Sequence, residues 1–231
     1  QPDNPSYCEW SGAGGGGAWC DQIIVIDNVL TRTECEQLVS RAEAIGFQMS
    51  LHQGKQDEGF RRGGRAVLTD GGLAAEIFSR MAHLLPNAQQ PLAATTAAKE
   101  TTWPADWGMP CGVWEQLRVL SYKSDDFFLP HRDNACAVGH SSLLPACQSH
   151  TSLLLYLADS VDGSGATRFY PDAIETSGAE APSRPTSGAV VDVVPWAGRA
   201  VVFPHRMLHE SMQVVEGRKV VMRGDVLFKI D

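Results

Sequence analysis

The sequence predicts an α+β fold that is mainly β, with helices confined to the first half and a strand-rich second half. Two observations carry this. Apolar residues recur at spacings of three and four before residue 86, the period of a one-faced helix. After Trp114 the pattern becomes short β-type runs separated by turn residues, as in a sandwich or a jelly roll. With 231 residues, 43% of them hydrophobic and 20% charged, the chain can bury a full core, and a single domain over 1–231 is the expected organisation.

In chain order, the segment 11–18 holds four consecutive glycines, but no Gly-Lys-Ser/Thr follows, so it is not a phosphate loop. Residues 1–20 read as a flexible Gly-rich tail. A strand is expected over 22–29 (QIIVIDNV). Thr33 with Glu36 then has the spacing of a capping box for a helix carrying Leu38, Ala42 and Ile45, which Gly46 ends. A second helix carries Leu73, Ile77, Phe78, Met81 and Leu84 and stops before Pro86. Both helices should lay one apolar face on a sheet, making 21–113 a helical support region. The core, 114–231, contains the runs VWEQLRVLSY, SLLLYLA, AVVDVV, AVVF and KVVMRGDVLF. The segment 171–188, rich in Pro, Ser, Ala and Gly, reads as a long surface loop of the kind that often forms a lid.

Charge narrows the function classes. A net charge of -8 and a pI near 5.3 supply no basic face for nucleic acid or for an anionic membrane surface. No apolar run approaches the roughly 20 residues that span a bilayer. The six cysteines (Cys8, Cys20, Cys35, Cys111, Cys136, Cys147) show no C-x-x-C pair, although Cys8 and Cys20 flank the Gly-rich turn and would bridge in an oxidising compartment. A start at Gln1 fits a trimmed chain or a mature form without its signal peptide, and localisation stays open at this end. The absence of a usable N-x-S/T sequon favours a cytosolic setting, with the secretory pathway as the alternative if the cysteines pair.

The candidate chemistry lies in the strand-rich half. His131 and Asp133 are two apart, so on extended backbone both side chains point to one side. His209 follows the strand AVVFPH. Two imidazoles and one carboxylate on one face of iron(II) leave open positions for a chelating cosubstrate and dioxygen. The His-x-Asp pair by itself equally fits a surface accident, and the three residues alone fit several metals.

The surrounding sequence resembles the 2-oxoglutarate- and iron(II)-dependent dioxygenases, particularly the prolyl 4-hydroxylase branch. That pattern places a Tyr before F-x-x-H-x-D, and LRVLSYKSDDFFLPHRD supplies Tyr122, Phe128, His131 and Asp133. LLLYLADSVDGSGATRFY follows the next block, with Ser164 in place of a glycine. PWAGRAVVFPHRMLHESMQVVEGRKVVMRGDVLF supplies His209 and, ten positions on, Lys219. The resemblance runs from about Leu117 to Phe228. It implies a double-stranded β-helix (jelly roll, cupin-like) with N-terminal buttressing helices. It also implies iron(II) held by His131, Asp133 and His209, with 2-oxoglutarate as cosubstrate, dioxygen as oxidant and ascorbate as reductant. The buried distal carboxylate of 2-oxoglutarate needs a partner, because an isolated buried charge is costly. Lys219 is expected to pair it and Tyr122 to donate a hydrogen bond to it, whereas Arg218 should face the opposite side of the strand. The implied reaction hydroxylates an unactivated C–H, on a prolyl or other amino-acid residue or on a small metabolite, and releases succinate and carbon dioxide. An intact Asp133 favours hydroxylation over the halogenation run by relatives that lack the carboxylate. A β-helix that binds a metal without turnover is the remaining alternative. Peptide or small-molecule substrates are the expected partners, with no nucleic acid and no membrane; oligomeric state is not legible.

Other groups are weaker candidates. His205, four before His209, would suit a zinc pair only on a helix, which Pro204 and the preceding strand oppose. Asp159, Asp162 and Gly163 read as a turn rather than a calcium loop. His140, His150 and Cys136 have no evident partner. Arg61, Arg62 and Arg65 form a basic cluster that would suit a carboxylate or a peptide backbone on the substrate, or simply a solvated loop.

Overall fold

The computed structural model describes residues 6–7, 20–49, 59–86, 103–135, 146–170 and 190–230. Two sheets face one another, and helices cover the outside of the larger. In chain order the strands are β1 (Ser6–Tyr7), β2 (Ile24–Asp27), β3 (Gln48–Met49), β4 (Gly64–Thr69), β5 (Pro110–Val113), β6 (Gln116–Lys123) and β7 (Phe128–His131). They continue with β8 (Cys147–Tyr156), β9 (Thr167–Phe169), β10 (Val191–Val193), β11 (Ala200–Pro204), β12 (His209–Ser211) and β13 (Arg218–Lys229). The major sheet runs β1-β2-β11-β8-β13-β6-β4-β3, with β5 also on β13; the minor sheet runs β10-β9-β12-β7. All pairings are antiparallel, which is the jelly roll expected from the alternation of short runs.

Helix α1 (Arg32–Ile45) and helix α2 (Gly71–Met81) lie on one face of the major sheet. The capping box sits two residues earlier than the sequence predicts. Thr31 Oγ accepts from Glu34 N at 3.2 Å, and the Glu34 carboxylate accepts from Thr31 N at 2.7 Å. T-x-x-E occurs in both registers; the first wins because buried Val29 and Leu30 place the chain turn there and Glu34 also meets Arg80 of α2 at 2.7 Å. That guanidinium bond holds the Glu34 carboxyl at about 2, well below the ordinary range, although partial burial opposes it. Gly46, at φ 90°, ends α1 where a Cβ would be strained. Cys35, Leu38 and Ala42 are buried as the period requires, but Ile45 is 56% exposed, because the last turn overhangs the sheet edge.

Two apolar clusters follow from strand alternation. Leu117 and Val119 of β6, Leu153 and Leu155 of β8, and Val220 and Met222 of β13 meet Ile77 and Met81 on the helix side. Leu120, Tyr122, Leu154, Tyr156 and Val221 turn the other way, towards Phe169 and Phe203 in the space between the sheets. Each fully buried aliphatic side chain contributes about 1.5–3 kcal/mol. Three sequence readings change here. Ser6–Tyr7, inside the expected tail, pairs with β2; the expected loop around Arg65 is strand β4; and the second helix ends at Met81, continuing only as a 3₁₀ turn to Leu84. Cys8, His140, Cys136 and the proposed lid at 171–188 lie outside the described residues. Among the described residues no helix is long and apolar enough to cross a membrane.

Candidate active site

The register of the minor sheet sets His131 of β7 directly opposite His209 of β12. Asp133 lies just past β7, held by its own N–H donating to the His205 carbonyl at 2.9 Å. One ligand atom from each of His131, Asp133 and His209 falls within 4.8 Å of the others. His131 Nδ1 donates to the Leu129 carbonyl at 2.8 Å and His209 Nδ1 to the Met207 carbonyl at 2.9 Å. A carbonyl only accepts, so both rings carry their proton on Nδ1 and present the Nε2 lone pair. These Nε2 atoms lie 4.0 Å and 3.7 Å from the two oxygens of Asp133. Phe128 stacks on His131 at 3.5 Å between centroids, and Phe203 meets His209 edge-on at 4.7 Å, which fixes both rings.

Electrostatics favours the ligand-competent forms. Burial, with His209 alongside, lowers His131 to about 3, and burial lowers His209 also, so both imidazoles are neutral at pH 7. Burial pushes the Asp133 carboxyl up, but the Arg223 guanidinium and the Ser152 hydroxyl outweigh it and keep the group ionised. Ser152 Oγ and Arg223 Nε at 3.2 Å both donate to Asp133 Oδ2. Arg223 in turn donates to the fully buried Asp225 at 3.1 Å, and His205 lies between Ser149 and Ser152. His205 therefore buttresses Asp133 through Ser152 and is not a partner of His209 in a zinc pair.

His131, Asp133 and His209 line a cavity of about 350 Å³ together with Leu120, Leu154, Val221 and Lys219. Lys219 is 3% exposed, and its ammonium donates to Ser211 Oγ at 2.8 Å and Thr167 Oγ1 at 3.3 Å. No described carboxylate pairs it. Burial lowers it to about 7 from an ordinary value of 10.5. The rings of Tyr122, directly across the strand pair, and Tyr156 each stand 5.7 Å from Nζ. A buried cation without an anion among the described residues, in a cavity whose wall also carries two imidazoles and a carboxylate, fits a metal with a chelating dicarboxylate. The family model described as the 2OG-Fe(II) oxygenase superfamily matches residues 117–224, which contain every one of these groups. Over this part of the chain the sequence matches the 2-oxoglutarate- and iron(II)-dependent oxygenase superfamily.

This superfamily uses iron(II), 2-oxoglutarate and dioxygen. Similar solved structures are a prolyl-4-hydroxylase of Pseudomonas putida (TM-score 0.55, 17% identity, 89% of this chain and 92% of that one) and a Trichoplax adhaerens prolyl hydroxylase in complex with a hypoxia inducible factor peptide fragment (0.53, 18%, 89% and 84%). HygX of Streptomyces hygroscopicus, bound to nickel, 2-oxoglutarate and hygromycin B, is also similar (0.50, 16%, 90% and 84%). At these identities the likeness is one of fold. No curated protein matches the sequence significantly.

The oxygenase fold brings together every sequence-expected site residue: His131, Asp133, His209, Lys219 and Tyr122 all line the one cavity. Arg218 turns outward to Glu43 at 2.6 Å, as alternation requires. Sequence reasoning missed Ser152, Thr167 and Ser211. Their signal was a hydroxyl within a strand otherwise buried and apolar, legible once the strand is known to be covered on both sides. Asp162 accepts from Ser164 N at 2.9 Å within its own turn, while Asp159 accepts from the distant Ala197 N at 2.8 Å and pairs with Arg32, so the two do not act as a calcium loop. His150 stacks on Trp107 at 4.8 Å, away from the cavity.

Proposed function

We propose that the protein is a hydroxylase in which His131, Asp133 and His209 hold iron(II), Lys219 and Tyr122 anchor 2-oxoglutarate, and the substrate is a prolyl or other amino-acid residue. The observation that supports it best is the buried Lys219, unpaired by any described carboxylate, in the same cavity as the three ligand atoms. When bound, the iron and cosubstrate supply the oxidant for an unactivated C–H, and succinate and carbon dioxide leave.

The chain's own residues do the rest. The Nδ1–H bonds to Leu129 and Met207 keep both Nε2 atoms aimed at one point, which spares the reorganisation a free imidazole would need. Ser152 and Arg223 orient the Asp133 carboxylate by occupying lone pairs of Oδ2. Arrival of a distal carboxylate favours the charged form of Lys219 and returns the free energy lost to its burial. Leu120, Leu154 and Val221 give the cavity shared by Lys219 and the ligand atoms an apolar wall, which disfavours water there. A small-molecule substrate is the second reading, favoured by the arginines that line the cavity.

The test is a succinate-release screen of the iron-loaded protein against proline-containing peptides, free amino acids and small metabolites. Coupled turnover on one class is expected. Before it, anaerobic addition of iron(II) and 2-oxoglutarate should produce the weak visible charge-transfer band of the chelate, and its absence in the wild type would overturn the hydroxylase reading.

A further inference from the structure

The cavity carries a charge that the rest of the chain does not. The protein has a net charge of -8, yet Arg61, Arg65, Arg118, Arg132, Lys219 and Arg223 all line this one space, against the single carboxylate of Asp133. Four of the six have a partner already. Lys219 donates to Thr167 and Ser211, Arg223 spans Asp133 and Asp225, and Arg118 reaches Asp225 at 3.4 Å. Arg132 donates to the Arg206 carbonyl.

Arg61 and Arg65 are different, because neither pairs with a carboxylate among the described residues. The Arg61 guanidinium reaches the Tyr122 hydroxyl, but its Nε is buried and lacks a hydrogen-bond partner. Its guanidinium lies 4.4 Å over the Phe128 ring, and that ring stacks on His131, so Arg61 stands one ring away from a proposed iron ligand. A donor left in this state costs free energy that a bound acceptor would return. Arg65 is exposed on β4, opposite Leu120 of β6, one row from the facing pair of Arg118 and Arg223. Like charges facing each other across strands repel, and Asp225 relieves only that pair. Desolvation of the inner part of its side chain lowers the pKa of Arg65, with the neighbouring Arg61 and Arg118 adding to it.

Given the hydroxylase reading above, on which this rests, we infer that Arg61 and Arg65, backed by Arg118, form an oxyanion subsite in the cavity wall, so that the molecule oxidised carries a carboxylate or phosphate of its own. Guanidinium forks match both groups by paired N–H donation, and binding removes the repulsion between the arginines. Among amino-acid substrates this selects a free or chain-terminal α-carboxylate, or an acidic side chain, over an internal prolyl residue of a neutral peptide.

The experiment is calorimetric binding of matched probes to the anaerobic protein with iron(II) and 2-oxoglutarate: N-acetylproline against N-acetylproline amide, and O-phosphoserine against serine. At least one anionic probe should bind about tenfold or more tightly than its neutral partner, the size of a charge-assisted hydrogen bond, and the margin should shrink with salt. The tighter of the two anions identifies which oxyanion is used. Arg65→Gln, at an exposed position, should erase most of the margin while 2-oxoglutarate affinity read from the charge-transfer band shifts less than twofold; Arg61→Gln is the second variant for the margin alone. Equal binding of charged and neutral partners, or a margin that survives both substitutions, would overturn the subsite. If the chelate band fails to appear in the wild type, the hydroxylase reading falls, and the same probe pairs on the metal-free protein still decide the subsite.

Discussion

The two faces of the major sheet are built by alternate residues of the same strands, and they carry opposite kinds of chemistry. Towards the helices, Leu117, Val119, Leu153, Leu155, Val220 and Met222 form an apolar layer against α1 and α2. Towards the minor sheet the same strands place Arg118, Tyr122, Ser152, Lys219, Arg223 and Asp225, none of them fully solvated. The first face needs only volume and apolarity. The second needs each polar group to meet a specific partner, and Lys219 meets only hydroxyls among the described residues. A one-residue slip of register would exchange the faces, so the apolar face fixes the register that aims the functional one.

Substitutions should separate the two faces. The largest effect is expected at the ligand atoms: His131→Ala or His209→Ala should cut succinate formation by more than about 100-fold, beyond the loss typical of an outer-shell partner. Unfolding should stay cooperative, because the helix-side layer is intact; loss of the cooperative transition would show that the faces are not separable. On the helix side, Ile77→Ala should cost about 2–5 kcal/mol in urea denaturation. The protein that remains folded should bind 2-oxoglutarate as before, and a parallel loss of affinity would break the comparison.

Lys219→Met sharpens it, since here binding and stability should move in opposite directions. Affinity for 2-oxoglutarate should drop by roughly 30-fold or more, the cost of truncating one partner of a buried charge pair. The ligand-free protein should melt higher, because a buried cation is gone. The wild type should also respond to pH. With Lys219 lowered to about 7 from 10.5, the unfolded chain binds the extra proton between these values, so ligand-free stability is lowest below pH 7 and rises with pH through that window. Binding of 2-oxoglutarate requires the ammonium, so its affinity should weaken by about tenfold per pH unit above 7. A flat titration would show that Lys219 is not the anchor. The smallest of these effects is expected for Ser152→Ala, which leaves Asp133 held by Arg223: iron(II) affinity should fall by about tenfold with little change in stability.

Much of this was legible along the chain. Periods of 3.6 and 2 marked the helices and the long strands, because burial on one face leaves a repeating apolar residue wherever the geometry repeats. His131 and Asp133 were readable as a pair because two residues on extended backbone share a side. The short strands β7, β9 and β12 were not readable, since three or four residues hold too little pattern, and it is β12 that sets His209 against His131. The capping box was legible as a type of cap but not in its register, which depended on Arg80 from another helix.

The sequence by itself determined which residue types were available: two helices, alternating strands, two histidines and an aspartate in order, and a lysine ten positions beyond the last. Only the tertiary structure decided what surrounds them. Ser152, Thr167 and Ser211 became partners of Asp133 and Lys219, and Arg61 and Arg65 became part of a cavity wall rather than a solvated loop. The physical reason is range. Backbone periodicity is a local property, written within a few residues, whereas hydrogen-bond partners and the field at a buried charge come from strands that are distant in the chain and meet only when the sheets close.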